Sequence, residues 1–249
     1  MKQLFNKKSH QKFIKYFGIK EKPSKIENDF YKKTEKYIKY IKYIPGLKMI
    51  GIGNSVSMNS ASVNSDIDLF IITDKKRLWI VRIFITIVFQ LLGVRKNRKN
   101  HASKFCLSFF TTTDGMNFQS FALEDDIYLY FWIIYLKPIL NYDNTYQKFL
   151  EANERWCNFG WYENILSQNQ KYIKYSNSNK NSFLKKLIKN IFNYPLDILE
   201  IILKKVFIKK SIKRYNSLGK PFGIIINDDI LKFHDNDIRR EIKKNLISK

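Results

Sequence analysis

Apolar and polar positions follow different periods along this chain, and each change of period marks an element. Through residues 1–43 and just beyond, Tyr37, Ile38, Ile41 and Ile44 recur at helical spacing with lysines between them. That predicts a basic helical segment ended by Pro45-Gly46. Leu47 to Gly53 is a short apolar run closing in glycine, and it predicts a strand. A small polar stretch, Asn54 to Ser65, leads into Asp66-Ile67-Asp68-Leu69-Phe70-Ile71-Ile72-Thr73, whose β-branched run predicts a buried strand. Lys75 to Val94 reads as a helix, residues 95–104 as a basic loop, and Phe105 to Thr112 as a third strand. Glu124 to Lys137 predicts a helix stopped near Pro138. Residues 144–166 read as helical, with Trp156 and Trp161 as core residues. Ser167 to Ser182 is polar and rich in Asn, Ser and Lys, the best linker in the chain. Phe183 to Lys213 is amphipathic and basic, broken by Pro195, and residues 235–249 form a short basic helix. No internal repeat is present. Three regions follow: an N-terminal helical segment (1–45), a core (46–166) and a basic helical C-terminal region (183–249).

Composition narrows this picture. A chain of 249 residues with 45% hydrophobic and 27% charged residues is globular rather than disordered. Its formal net charge of +23 attracts polyanions: nucleic acid, nucleotides or anionic lipid. Lysine is spread along the whole chain, however, so compositional drift accounts for that charge equally well. Cys106 and Cys157 have neither metal-ligand spacing nor the density of a disulfide framework. Met1 to Lys15 lacks the apolar run of an export signal, so a cytoplasmic setting is expected. Leu78 to Val94 contains Arg82 and Gln90, and Ile127 to Leu140 contains Lys137 and Pro138. Both fall short of the ~20 clean apolar residues of a spanning helix and read as buried helices.

The candidate chemistry sits at the start of the second strand. Side chains at i and i+2 of a strand share a face, so Asp66 and Asp68 project together. Two carboxylates this close repel unless a cation lies between them. Hard oxygen donors suit Mg²⁺, which takes one or two carboxylates and completes its shell with water and phosphate oxygens. Such a pair suits phosphoryl transfer. The preceding turn fits the same use: Gly53 permits close backbone approach to a phosphate, and Asn54 and Ser55 offer donors. A helix beginning at residues 55–60 would add its N-terminal dipole. Arg82, inside an apolar helix, calls for a buried partner, with a carboxylate or phosphate suiting it.

This arrangement resembles the DNA polymerase β-like nucleotidyltransferase superfamily, in which a strand, a Gly-Ser turn and roughly ten residues precede an Asp-x-Asp on the next strand. Within it, the chain looks most like a bacterial group of nucleotidyltransferase-domain proteins without an assigned role. Gly53 to Asn59, Ser65 to Thr73 and Arg77 to Arg82 carry the likeness. Phe105 to Phe110, Leu136-Lys137-Pro138 and Leu231 to His234 are similar to later segments of that group. The resemblance implies an α+β fold, a mixed β-sheet flanked by helices, with helical segments at both ends. It implies Asp66 and Asp68 as metal-binding and catalytic residues, with Gly53, Asn54, Ser55 and Arg82 toward the nucleotide. It further implies Mg²⁺ as cofactor, an NTP as substrate and an acceptor hydroxyl that the sequence does not identify.

Two departures bear on activity. The Gly-Ser pair stands here as Gly53-Asn54 or Asn54-Ser55. The third carboxylate that active members carry on the following strand is missing from Phe105 to Thr112, where Cys106 and Ser108 share one face. Asp74, Asp114, Glu124, Asp125 and Asp126 are the nearby acids that could replace it. Three readings are therefore carried forward: an active nucleotidyltransferase, a catalytically inactive nucleotide-binding or regulatory module, and a basic RNA-binding protein. His101 and His234 stand alone, without metal-ligand spacing. The basic loop 95–104 reads as solvated ahead of nucleic-acid binding. For residues 183–213, packing onto the core is the expected role ahead of membrane-surface contact.

Overall fold

The structure is a computed structural model, and it describes residues 6–97, 99–176 and 182–247. In chain order its helices are α1 Lys7–Phe17, α2 Lys25–Ile38, α3 Asn54–Ser57, α4 Leu78–Leu91, α5 Ile127–Tyr135, α6 Thr145–Asn153, α7 Glu163–Gln170, α8 Ser182–Ser217 and α9 Arg239–Ile247. The strands are β1 Leu47–Ile52, β2 Ile67–Thr73, β3 Phe105–Thr112, β4 Lys137–Asn141, β5 Tyr175–Ser176, β6 Ile224–Ile226 and β7 Ile230–Phe233. Within α8, side chains are described from Asn193 onward. Residues 177–181 of the expected linker, Arg98 of the basic loop, and Leu184, Leu187, Ile188 and Ile191 as side chains lie outside the described residues.

The fold is α+β. The strands form a mixed seven-stranded sheet in the order β5-β4-β1-β2-β3-β7-β6. β1 lies antiparallel between β2 and β4, β2 and β3 run parallel, and β7 joins β3 antiparallel. Strand periodicity divides the core between the two sheet faces. Phe70 and Ile72 of β2 join one apolar cluster with α5, α6 and α9, while Ile67, Leu69 and Ile71 join the other with α2 and α4. Asp68 is in phase with Phe70 and therefore emerges on the α5 side.

Several expected elements change shape. The apolar run Ile127 to Leu140 is not one helix. Leu136 turns to extended backbone, and Lys137 opens β4. Pro138 explains the switch, because a residue before proline avoids the helical region. The C-terminal region is not helical throughout, since β6 and β7 form a hairpin whose inner strand pairs with β3. Asn227 shapes its turn by accepting from the amides of Asp229 and Ile230. Pro195 does not break α8, which continues through it. α8 is locked to the core by Glu200, whose carboxylate accepts from the Trp79 and Ile80 amides at 2.9 and 2.8 Å. These are orphan donors of the first turn of α4, so a buried anion there is doubly favoured.

Lys137 is a buried cation with a measurable consequence. Its ammonium donates to Tyr31 Oη at 2.8 Å and to Asn59 Oδ1 at 2.6 Å, and it lies over the Tyr172 ring. Burial lowers its pKa from 10.5 to about 7, with Glu27 pulling weakly the other way. Between those values the unfolded chain holds a proton that the folded chain lacks. Stability contributed by this group is therefore lowest below pH 7 and rises with pH, by at most about 1.4 kcal/mol per pH unit. Urea titrations at pH 7 and 9 are expected to show that rise in the wild type and a smaller one in Lys137→Met.

Candidate functional site

The site is built at the ends of β1, β2 and β3 facing α5. Gly53 ends β1 and donates its amide to Asp68 O at 3.0 Å, which ties the turn to the second strand. A Cβ on Gly53 would stand 3.0 Å from Trp132 Nε1, so a side chain there would press the indole of α5 outward. Asn54 follows with φ of 54°, in the left-handed region. Its Oδ1 accepts from Trp132 Nε1 at 2.9 Å and Tyr128 Oη at 3.1 Å. The amide nitrogen is thereby left for the Asp68 carboxylate, to which Asn54 hydrogen-bonds. Ser55 sits half-buried in the next position. The expected helix over residues 55–60 is only the single turn Asn54–Ser57, so it offers local amides and no appreciable macrodipole.

Asp66 precedes β2, and Asp68 pairs with Cys106 across the parallel β2–β3 ladder. One ligand atom each from Asp66, Asp68 and Cys106 lie within 4.8 Å of one another. Burial, then the neighbouring Asp66 charge, raises the Asp68 pKa to about 6, against the lowering effect of Asn54, Cys106 and Lys96. Burial and then Asp68 push the Cys106 thiol well up, so it is a neutral thiol at physiological pH. Lys96 Nζ reaches Asp66 at 2.6 Å. Although burial works against its charge, the Asp66 bond together with the charges of Cys106, Asp66 and Asp68 outweighs it and the lysine pKa is raised. The Lys96 amide donates to Phe105 O, so the start of the basic loop is held along β3.

The structure does not bring Arg82 to this group. It projects from α4 on the other sheet face, with its guanidinium over the Phe110 and Phe233 rings at 5.1 and 4.3 Å and donating to Leu107 O. Aromatic faces and a carbonyl supply the buried partner, in place of a carboxylate or phosphate. The nearby acids are engaged elsewhere: Asp74 with Lys48, Asp114 with Lys75, and Asp126 with Arg239. Among the described residues, no third carboxylate joins Asp66 and Asp68.

Sequence reading missed two partners. Lys96 counted only as part of a basic loop, and His234 as a lone histidine. A register shift between Asp68 and Phe70 in the β2–β3 pairing accompanies the turn of Ser108 toward His234 Nε2, at 3.3 Å, while Cys106 Sγ donates to Ser108 Oγ. His234 Nδ1 is buried without a partner, and burial lowers the imidazole pKa to about 4, leaving it neutral. A recess lined by Gly53, Asn54, Asp68, Ser108 and His234 adjoins a cavity of about 170 Å³ walled by Phe109, Tyr128 and Trp132. The only sequence signal for His234 was its place in the Leu231 to His234 segment.

The donor set fits Mg²⁺ through two carboxylate oxygens, with the neutral thiol a neighbour rather than a hard ligand. Comparison with protein-family models, with curated proteins and with solved structures found no match to this chain.

Proposed function

We propose that the protein is a Mg²⁺-dependent nucleotidyltransferase of the polymerase β-like kind, moving a nucleoside monophosphate from an NTP to an acceptor hydroxyl with release of pyrophosphate. The observation that carries this reading is the convergence of Asp66 and Asp68 at the start of β2, beside a glycine-ended strand and a turn in which Trp132 orients Asn54. Asp66 and Asp68 hold the metal. Bound there, Mg²⁺ supplies charge stabilisation to phosphate oxygens. Gly53, Asn54 and Ser55 line the approach of the phosphates. Lys96, partly exposed, pairs with Asp66 at 2.6 Å and places a cation beside the metal site where a phosphate would enter. Phe109, Tyr128 and Trp132 give the adjoining cavity an aromatic wall on one side of the site.

A second reading has its own observation: Cys106 occupies the strand position beside Asp68, where a third carboxylate would serve the attacking hydroxyl. On that reading the site binds a metal-nucleotide and transfers nothing. One experiment separates the two. NTPs labelled in the α-phosphate are incubated with Mg²⁺, the protein and fractions of RNA, protein and small metabolites. Transfer of label by the wild type, abolished in Asp68→Ala, supports the transferase. Mg²⁺-dependent NTP binding without any transfer supports the inactive module.

A further inference from the structure

α8 has two apolar faces, and among the described residues only one is covered by the rest of the fold. Leu203, Phe207 and Ile208 pack on the core, and Glu200 ties the helix to α4. The opposite side presents Tyr194, Ile198, Ile201, Ile202 and Val206 to solvent, with Ile201, Ile202 and Val206 exposed by 54%, 52% and 58%. Their spacing of three and four places them on one stripe. The stripe then continues as cations: Lys205, Lys209, Lys210 and Lys213 are all exposed, and no acidic residue lies between Ile201 and Ser217. α4, which packs against α8, adds exposed Phe84, Ile87 and Leu91.

We propose that this face of α8 docks the protein on an anionic lipid surface. An apolar stripe continued by lysines on a helix lying flat is the chemistry that inserts side chains among acyl chains and pairs cations with headgroup phosphates. The charge selects this occupant. A second copy packed in parallel would bring lysines against lysines, an antiparallel one would set them against the apolar stripe, and a nucleic acid would leave three β-branched aliphatics without an apolar partner. Sequence periodicity favoured packing onto the core. The structure satisfies that packing with one face and leaves the other outward. No described helix is long and apolar enough to cross a membrane, so the contact is along the surface. The inference does not depend on the nucleotide site.

The test is co-sedimentation of the full chain with phosphatidylcholine vesicles and with vesicles that also contain phosphatidylglycerol. The wild type is expected to bind only the anionic vesicles, less at higher salt. Ile201→Ser/Ile202→Ser should bind at least about tenfold more weakly. Lys205→Gln/Lys209→Gln/Lys210→Gln should lose about a hundredfold. All these side chains are exposed, and an unchanged thermal unfolding midpoint verifies that the variants fold. Wild type that stays in the supernatant, equal binding to both vesicle types, or a solution dimer dissolved by Ile201→Ser/Ile202→Ser would overturn the proposal.

Discussion

Replacing Arg239 with alanine is expected to lower the free energy of unfolding by about 3–5 kcal/mol, read as a fall in urea midpoint. The guanidinium lies almost wholly out of solvent between two buried carboxylates, Asp126 and Asp237, each at 2.9 Å. Asp126 also caps α5 by accepting from the Leu123 and Leu129 amides. One residue of α9 thus holds the start of α5 and the segment after β7. Burial alone would raise the Asp237 pKa, but Arg239 and Lys232 outweigh it and hold the pKa down at about 2. Without Arg239, the Asp126 carboxylate is left in a dry site without the partner it pairs with, which is the source of the large cost. Asp126→Ala/Arg239→Ala should cost less than the two single changes added together, because the second removal relieves the charge stranded by the first.

The second large effect belongs to Trp132. Trp132→Ala is expected to cost about 3–5 kcal/mol in the same assay. The indole is 6% exposed and its ring meets Phe70 at 5.3 Å and Phe109 at 5.6 Å, so truncation empties the centre of the α5-side cluster. Its Nε1–H is also, with Tyr128 Oη, one of two donors that orient Asn54, which carries the unusual positive φ next to Asp68. Trp132→Phe separates the two roles. It keeps most of the packing, removes one hydrogen bond worth about 1 kcal/mol, and leaves Tyr128 Oη as the remaining donor that holds Asn54 Oδ1. Trp132→Phe should therefore fold stably yet bind Mg²⁺·NTP more weakly than wild type in calorimetry.

The central strands were legible in the sequence because their β-branched runs are short, apolar and bounded by glycine or polar turns. Phe105 to Thr112 is observed with the bounds expected of it. The shared orientation of Asp66 and Asp68 followed from a period of two. β4 was illegible because Ile127 to Leu140 is apolar throughout and carries no period that separates helix from strand. β6 and β7 are too short to stand out from a basic region, and the pairing of β7 with β3 joins residues more than a hundred positions apart. The same distance hid His234 from Ser108. Lys96 was hidden by a different cause: in a lysine-rich chain, nothing marks the lysine that reaches Asp66. Arg82 shows the converse limit, since helical periodicity gave its burial but not which sheet face would receive it.

The central claim is that Asp66 and Asp68 form a metal-nucleotide site. Calorimetric titration of each of the NTPs, with and without Mg²⁺, into the wild type and Asp66→Ala/Asp68→Ala tests it most directly. Saturable binding that requires Mg²⁺ and vanishes in the folded double variant is the predicted result. Binding that survives in the double variant, or its absence from a folded wild type, would contradict the account.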